Sequence, residues 1–367
     1  MALKPIPRLL LIITAVSVVG FGLKLINEKS RIDAPPLSDA RPNQSTTQTP
    51  EVSTTTVPVA AALPFPVAID SASVAQDSRA VVGIGSGQES GTNWPMVQDI
   101  KKVCSTASMQ INNVVSDGSL DNIFKVYGDK STQYGIIQED ALVYQERIDP
   151  KMMSRILMVF PFFSTEVHVL VRDDSTIKTL SDLQGKRVVE GPEGSGTWVT
   201  TQVIKSTAGL KWNAIQLSQK DGLQAVLNGS ADAEFIVAGK PVFLLKEAKG
   251  VRLIPLSHPK LDSFAYYTKT IIPNATYSFQ KTSVSTYKIN NVLATFAFKN
   301  QYQTEIASLV TCITQNLGRL QGEQGFHPKW RDVDPLDIDR IKWPSHPTAK
   351  RAVLAANKLS ASNASVK

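Results

Sequence analysis

From Ala80 onward, apolar residues recur at two alternating periods. Runs that read as strands are Ala80–Gly85, Gln110–Val115, Tyr134–Gln138, Arg155–Pro161, Glu166–Arg172, Arg187–Glu190, Ile215–Leu217, Ala233–Ala238 and Arg252–Leu256, with Val292–Phe298 late in the chain. Helical stripes lie between many of them. Met96, Val97, Ile100, Val103 and Cys104 share one helix face, and Leu223, Val226 and Leu227 share another that stops at Gly229. Ile306, Leu309, Val310, Ile313 and Leu317 form a clean amphipathic helix. Strands alternating with helices of this length predict α/β units built on mainly parallel sheets flanked by helices.

Two strand-to-helix junctions are rich in glycine and hydroxyls. Val188-Val189 runs into Glu190-Gly191-Pro192-Glu193-Gly194-Ser195-Gly196-Thr197, and Val81–Gly85 runs into Ser86-Gly87 and then Gly91-Thr92-Asn93-Trp94-Pro95. Such turns bring the backbone close to a bound group and aim helix N-terminal N–H groups at an anion. The pair predicts two lobes that each offer a loop to one small ligand.

Further segments carry a family likeness. Ser116-Asp117-Gly118-Ser119-Leu120-Asp121-Asn122 matches a Ser-x-Gly-Ser-x-x-Asn element, and Gly135-Ile136-Ile137-Gln138-Glu139-Asp140 matches Gly-x-x-Gln-x-Asp. Asp182-Leu183-Gln184-Gly185-Lys186-Arg187-Val188 precedes Gly194-Ser195-Gly196-Thr197, and Ala238-Gly239-Lys240-Pro241 follows as an Ala-Gly-x-Pro turn. In this order, between Val81 and Trp330, the motifs resemble the TAXI family, the solute receptors of tripartite TRAP-type transporters. The resemblance implies a two-lobed periplasmic-binding-protein fold of type II with a hinge near Ser164–Val167 and Tyr267–Val292. It implies no enzymatic activity, no cofactor and no metal. Its ligands are small carboxylates, amino acids such as glutamate among them, and its partner is a membrane permease. The binding positions carried over are Ser86, Gly87, Thr92, Asn93 and Trp94; Ser116, Ser119 and Asn122; Gln138 and Asp140; Ser195, Gly196 and Thr197; and Gly239 with Pro241. Uncharged donors of this kind bind an anion without the desolvation cost of an ion pair.

Departures from the pattern bear on the ligand. Asn93-Trp94 replaces paired aromatics, Asp117 and Glu139 add negative charge within two motifs, and Lys240 adds a positive one. Enzyme motifs do not fit. A nucleophile elbow around Ser195 needs glycine where Glu193 stands, a phosphate loop needs Lys-Ser/Thr where Thr197-Trp198 stands, and a dinucleotide fingerprint fails at Gln88. His168, His258, His327 and His346 lack metal-ligand spacing, and His168 between two valines reads as a structural histidine. Asp332, Asp334, Asp337 and Asp339 lack the glycine and terminal glutamate of a calcium loop. The net charge of +7 is spread out, with no basic run interleaved with aromatics, which disfavours nucleic acid. Cys104 and Cys312 are either a disulfide or two buried thiols.

The organisation read from these patterns is as follows. Residues 1–26 carry Lys4 and Arg8 before an apolar run from Leu9 to Leu23, extended by Leu25 and Ile26. This is the length of an uncleaved signal anchor in the inner membrane, with a leader cleaved after Gly22 as the alternative. Residues 27–79 are a Pro/Ser/Thr-rich tether with no apolar period, and both states of the N-terminus place the body in the periplasm. The first lobe is 80–165, the second 166–266, a return segment and the rest of the first lobe 267–345, and a fraying tail 346–367. The functional expectation is an extracytoplasmic receptor that hands a small carboxylate-bearing metabolite to a TRAP-type permease. The alternative is a membrane-tethered sensor or scaffold on the same fold.

Overall fold

The computed structural model describes residues 80–297 and 302–364; the expected anchor and tether lie outside them. No helix among the described residues is long and apolar enough to cross a membrane. The first lobe opens with β1 (Ala80–Gly87), α1 (Asn93–Cys104), β2 (Met109–Val115), α2 (Ser119–Gly128), β3 (Tyr134–Gln138), α3 (Glu139–Ile148) and the short α4 (Pro150–Met153). The long β4 (Ile156–Arg172) leads into β5 (Arg187–Val189), α5 (Gly196–Ala208), β6 (Asn213–Ile215), α6 (Gln219–Leu227), β7 (Ala233–Ala238), β8 (Val251–Leu253) and β9 (Thr268–Ile272). β10 (Val284–Phe296) returns, and α7 (Gln303–Gln315), α8 (Leu317–Gly322) and α9 (Pro347–Ala364) complete the first lobe.

The strands form one sheet in the order β2-β1-β3-β10-β4-β7-β5-β6, with β8 against β4 and β9 against β10. In each lobe the strands that feed helices are parallel: β1 with β2 and β3, and β5 with β6 and β7. The crossing strands β4 and β10 run antiparallel to each other and to β7 and β3, respectively. The fold is thus a two-lobed α/β architecture, with mainly parallel strands flanked by helices in each lobe. The two runs Arg155–Pro161 and Glu166–Arg172 are one strand, because Pro161 falls beside a register shift where Asn290 pairs Ser164 and Val292 pairs Pro161. A bulge is where a strand tolerates proline, which has no N–H to give the ladder.

The apolar side chains divide at that bulge. Ile84, Ile100, Ile136, Phe160, Phe163, Val292 and Trp330 share the first core. Val167, Val169, Phe235, Tyr287 and Ile289 pack on one face of the second lobe's sheet, while Leu170, Leu223, Ile236 and Tyr277 pack on the other. Alternate residues of β4 serve opposite faces, as strand geometry requires. Tyr267, Ile272, Tyr277, Val284 and Ile289 belong to the second core, so within the return segment the chain re-enters the first lobe between Ile289 and Val292. The expected fraying tail is corrected. α9 is a helix from Pro347, and its Ala349 and Val353 are buried in the first core.

His168 is a satisfied structural residue, as its position between valines predicts. Its Nδ1 lies 3.0 Å from the Glu166 carbonyl, and its Nε2 lies 2.7 Å from the Tyr277 hydroxyl. Burial pushes its pKa down to about 4, so the ring is neutral at ordinary pH. Cys104 at the end of α1 is joined by a disulfide to Cys312 of α7, across 208 residues. That resolves the open alternative and staples the beginning of the first lobe to its end.

Glu234 on β7 is fully buried beneath α6, and neither carboxylate oxygen has a partner among the described residues. Burial holds its pKa well above 4.5. A carboxyl that stays protonated when folded contributes stability that is lost as pH rises above the unfolded value. Glu234→Gln should therefore gain on the unmodified protein by about 1.4 kcal/mol per pH unit above pH 4.5, until the buried carboxyl ionises. Denaturant melts at several pH values read this difference; equal pH profiles for the two proteins would contradict it.

Candidate functional site

A cavity of about 80 Å³ lies where the carboxyl ends of the parallel strands of both lobes meet. Ligands bind at this end of α/β sheets because the following helices start there. The first turns of α1, α2, α3, α5 and α6 all contribute lining residues: Thr92 and Asn93, Gly118 and Ser119, Gln138, Ser195 to Thr197, and Gln219. Each helix start presents N–H groups without intrahelical partners and a positive dipole end. Among the described residues, no Lys, Arg or His lines the cavity, and the one ionisable side chain that does is Asp117, exposed at the rim.

The hydroxyls are arranged as donors. Ser195 Oγ caps α5 by accepting from Trp198 N at 3.0 Å, and Thr197 Oγ1 accepts from Val237 N at 3.1 Å. Ser119 Oγ accepts from Gln138 N at 3.2 Å, and Thr92 Oγ1 accepts from Gly239 N at 3.1 Å. With a backbone N–H already on each oxygen, every O–H hydrogen is free to donate elsewhere. Among the described residues, none of the four hydroxyls donates to a protein acceptor.

The floor comes from the bulge between the crossing strands. Gln138 Nε2 donates to Thr165 Oγ1 at 3.0 Å, and Asn291 Nδ2 donates to the Phe163 carbonyl at 3.1 Å. The side-chain carbonyls of Asn291 and Gln219 have no partner among the described residues. Behind the Ser195 loop, buried Glu190 accepts from Trp212 Nε1 (2.6 Å), Gln202 Nε2 (2.9 Å) and Lys205 Nζ (3.0 Å). That network fixes the loop without sending a charge into the cavity.

The lobes are in contact across the site. Leu120 N donates to the Gly194 carbonyl at 3.0 Å, and a Cβ on Gly118 would lie 3.1 Å from Ser195 Cα. Gly118 has φ +121, so a side chain there would also be strained. A Cβ on Gly196 would run into the Gln138 amide and lie 3.0 Å from Ser119 Oγ.

Of the residues singled out in the sequence, Ser86, Gly87, Thr92, Asn93, Ser119, Gln138, Ser195, Gly196 and Thr197 line the cavity together. Trp94, Ser116, Asn122, Asp140, Gly239 and Pro241 do not. Trp94 gives its carbonyl to Asn113, and Asn122 sits beneath Gly85 and Gly135 and donates to the Ile136 carbonyl at 2.8 Å. Ser116 is buried at the end of β2, and its hydroxyl has no partner among the described residues. Asp140 lies between α3 and α5, bonded by Thr200 and Tyr267. Gly239 and Pro241 shape the turn that meets Thr92. Two of the three added charges are absorbed: Glu139 accepts from Asn290 at 3.1 Å, and Lys240 pairs with Glu166 at 2.9 Å, while Asp117 stays exposed at the rim. Thr165, Gln219, Val237, Ala238 and Asn291 line the cavity without having been picked out. The available signal was polarity inside apolar strands, Thr165 after Phe162-Phe163-Ser164 and Asn291 before Val292-Leu293.

Residues 84–352 match the model of the NMT1-like family, so the chain belongs to that family. Among solved structures, it is similar to a periplasmic transporter (12% identity, 79% of this chain and 98% of that one, TM-score 0.49). It is also similar to the periplasmic aliphatic sulphonate binding protein SsuA from Escherichia coli (19% identity, 78% and 93% covered, TM-score 0.41). A third similar structure is the substrate binding protein of an amino acid ABC transporter (12% identity, 72% and 98% covered, TM-score 0.43).

The tight fit at Gly196 gives a direct check on the lobe contact. Gly196→Ala should leave far-ultraviolet circular dichroism unchanged while the amides of Leu120 and Gly239, both bonded across the lobes, exchange about tenfold faster. Unchanged protection at both amides would show that the lobes do not meet through this glycine.

Proposed function

We propose that this member of the NMT1-like family is a solute-binding protein that captures a small anionic solute between its two lobes and performs no chemistry on it. The observation that carries the reading is the set of hydroxyls on Thr92, Ser119, Ser195 and Thr197. Each accepts a backbone N–H, keeps its own O–H hydrogen free to donate, and is set beside a helix start. An anion there receives hydrogen bonds and dipole stabilisation without a buried cation to desolvate. A volume of about 80 Å³ suits a solute of few heavy atoms, well below the roughly 300–1,000 Å³ of drug-sized sites. The unpartnered carbonyls of Asn291 and Gln219 favour a solute that also donates, as an amino acid does.

The setting we propose is extracytoplasmic. The charged-then-apolar N-terminus and the proline-rich stretch after it support this, as does the Cys104–Cys312 bond, a modification that persists in oxidising compartments. The order of the TAXI-like motifs supports a TRAP-type permease as the receiver of the solute. A tethered sensor is the second reading, favoured by the length of the proline-rich stretch.

Isothermal titration with L-glutamate, taurine and phosphate as probes tests the site. At least one anion should bind, and Ser119→Ala and Ser195→Ala should each weaken it about 10–100-fold, the range for hydrogen bonds to a charged group. Equal affinity in both variants would remove these hydroxyls from the site.

A further inference from the structure

Asp140 belongs to a motif that pointed to the ligand, yet its carboxyl faces away from the cavity. It is carried by α3 of the first lobe and is 1% exposed. Its Oδ2 accepts from Thr200 Oγ1 at 2.6 Å and from Tyr267 Oη at 3.0 Å, and both donors belong to the second lobe. Its Oδ1 has no partner among the described residues. The carboxyl is therefore sealed by the contact between lobes rather than by its own lobe.

Its surroundings do not neutralise it. The adjacent charge is Glu139, of like sign, which is bonded by Asn290 of β10. Arg147, further along α3, lies near enough to Tyr266 to favour that hydroxyl's ionised form. α5 brings the uncharged Thr200 and the ring of Trp198, which packs edge-on against Tyr144. β3 ends in the uncharged Gln138. Burial opposes the ionised form most strongly and Glu139 adds to it, while the Thr200 and Tyr267 hydroxyls and the Ala141 backbone N–H favour it.

We propose that lobe closure is proton-linked: when Thr200 and Tyr267 close over Asp140, its carboxyl takes up a proton from solvent and releases it on opening. The inference rests on the closure assumed for solute capture. Burial raises the pKa from 3.8 to about 6 in this structure, and in the proposed open state, with Thr200 and Tyr267 drawn away, the carboxyl would meet water and regain its ordinary value. The closed form then binds the proton more tightly, so acid favours closure. The closing constant should fall about a hundredfold as pH rises between these two values and level off above about pH 7.

The test uses the full chain without solute, so a negative result leaves solute capture standing. Nitroxide labels are placed at Phe124→Cys on α2 and Lys220→Cys on α6, both exposed and on opposite lobes. Electron–electron distance distributions between pH 4 and pH 8 should shift from short to long separations as pH rises. Asp140→Asn should hold the short separation throughout. Tyr267→Phe, which removes one donor to the ionised form, should move the transition to higher pH. A pH response that persists in Asp140→Asn, no response in the labelled protein, or an unmoved transition in Tyr267→Phe would each overturn the proposal.

Discussion

Everything about the site depends on the antiparallel ladder between β4 and β10. These strands are long enough to serve two cores, and the register shift between Asn290–Val292 and Pro161–Ser164 marks the passage from one to the other. Apolar residues on either side commit each half of the strand to its own lobe. At the shift, the ladder gives up regular pairing and leaves Thr165 and Asn291 to satisfy each other, the Phe163 carbonyl and Gln138. A polar floor is the consequence, and the helix starts of both lobes surround it.

Paired charge is buried behind the site, and among the described residues only Asp117 reaches its rim. Glu166 is buried on β4 and accepts from Lys329 Nζ at 3.0 Å, Lys240 Nζ at 2.9 Å and Lys240 N at 2.8 Å. Lys329 comes from the first lobe and Lys240 from the second, so this cluster joins the lobes where Gly239 meets Thr92. Glu190 does similar service behind the Ser195 loop. Buried ions paired this way are costly to break and hold geometry. The cavity itself is left to N–H and O–H groups, with the Asp117 carboxylate at its rim.

Much of this was legible in the sequence because the physics is local. Glycine and hydroxyl residues after a strand mark a helix start, and those at Ser86–Asn93, Ser119 and Ser195–Thr197 line the cavity. Periodicity placed β7 without error, since every residue of Ala233–Ala238 is buried. It missed β9, whose Thr268–Ile272 is mostly exposed and carries no apolar alternation. The tail reads as fraying from sequence because Ala349 and Val353 are small or lone apolar residues whose burial depends on α7 packing against them. Asp140 and Asn122 followed from motif position, but their side chains turn inward to Thr200 and Ile136. Only tertiary contact decides that direction.

The central claim is that uncharged donors at converging helix starts hold an anion. The most direct measurement is an X-ray structure of the protein with its retained or added solute. The anionic group should lie within hydrogen-bond distance of the Gly196 and Thr197 amides and of the Ser119 or Thr92 hydroxyls, with no lysine or arginine in contact. A solute bound outside this cavity, or one held there by a basic side chain, would contradict it.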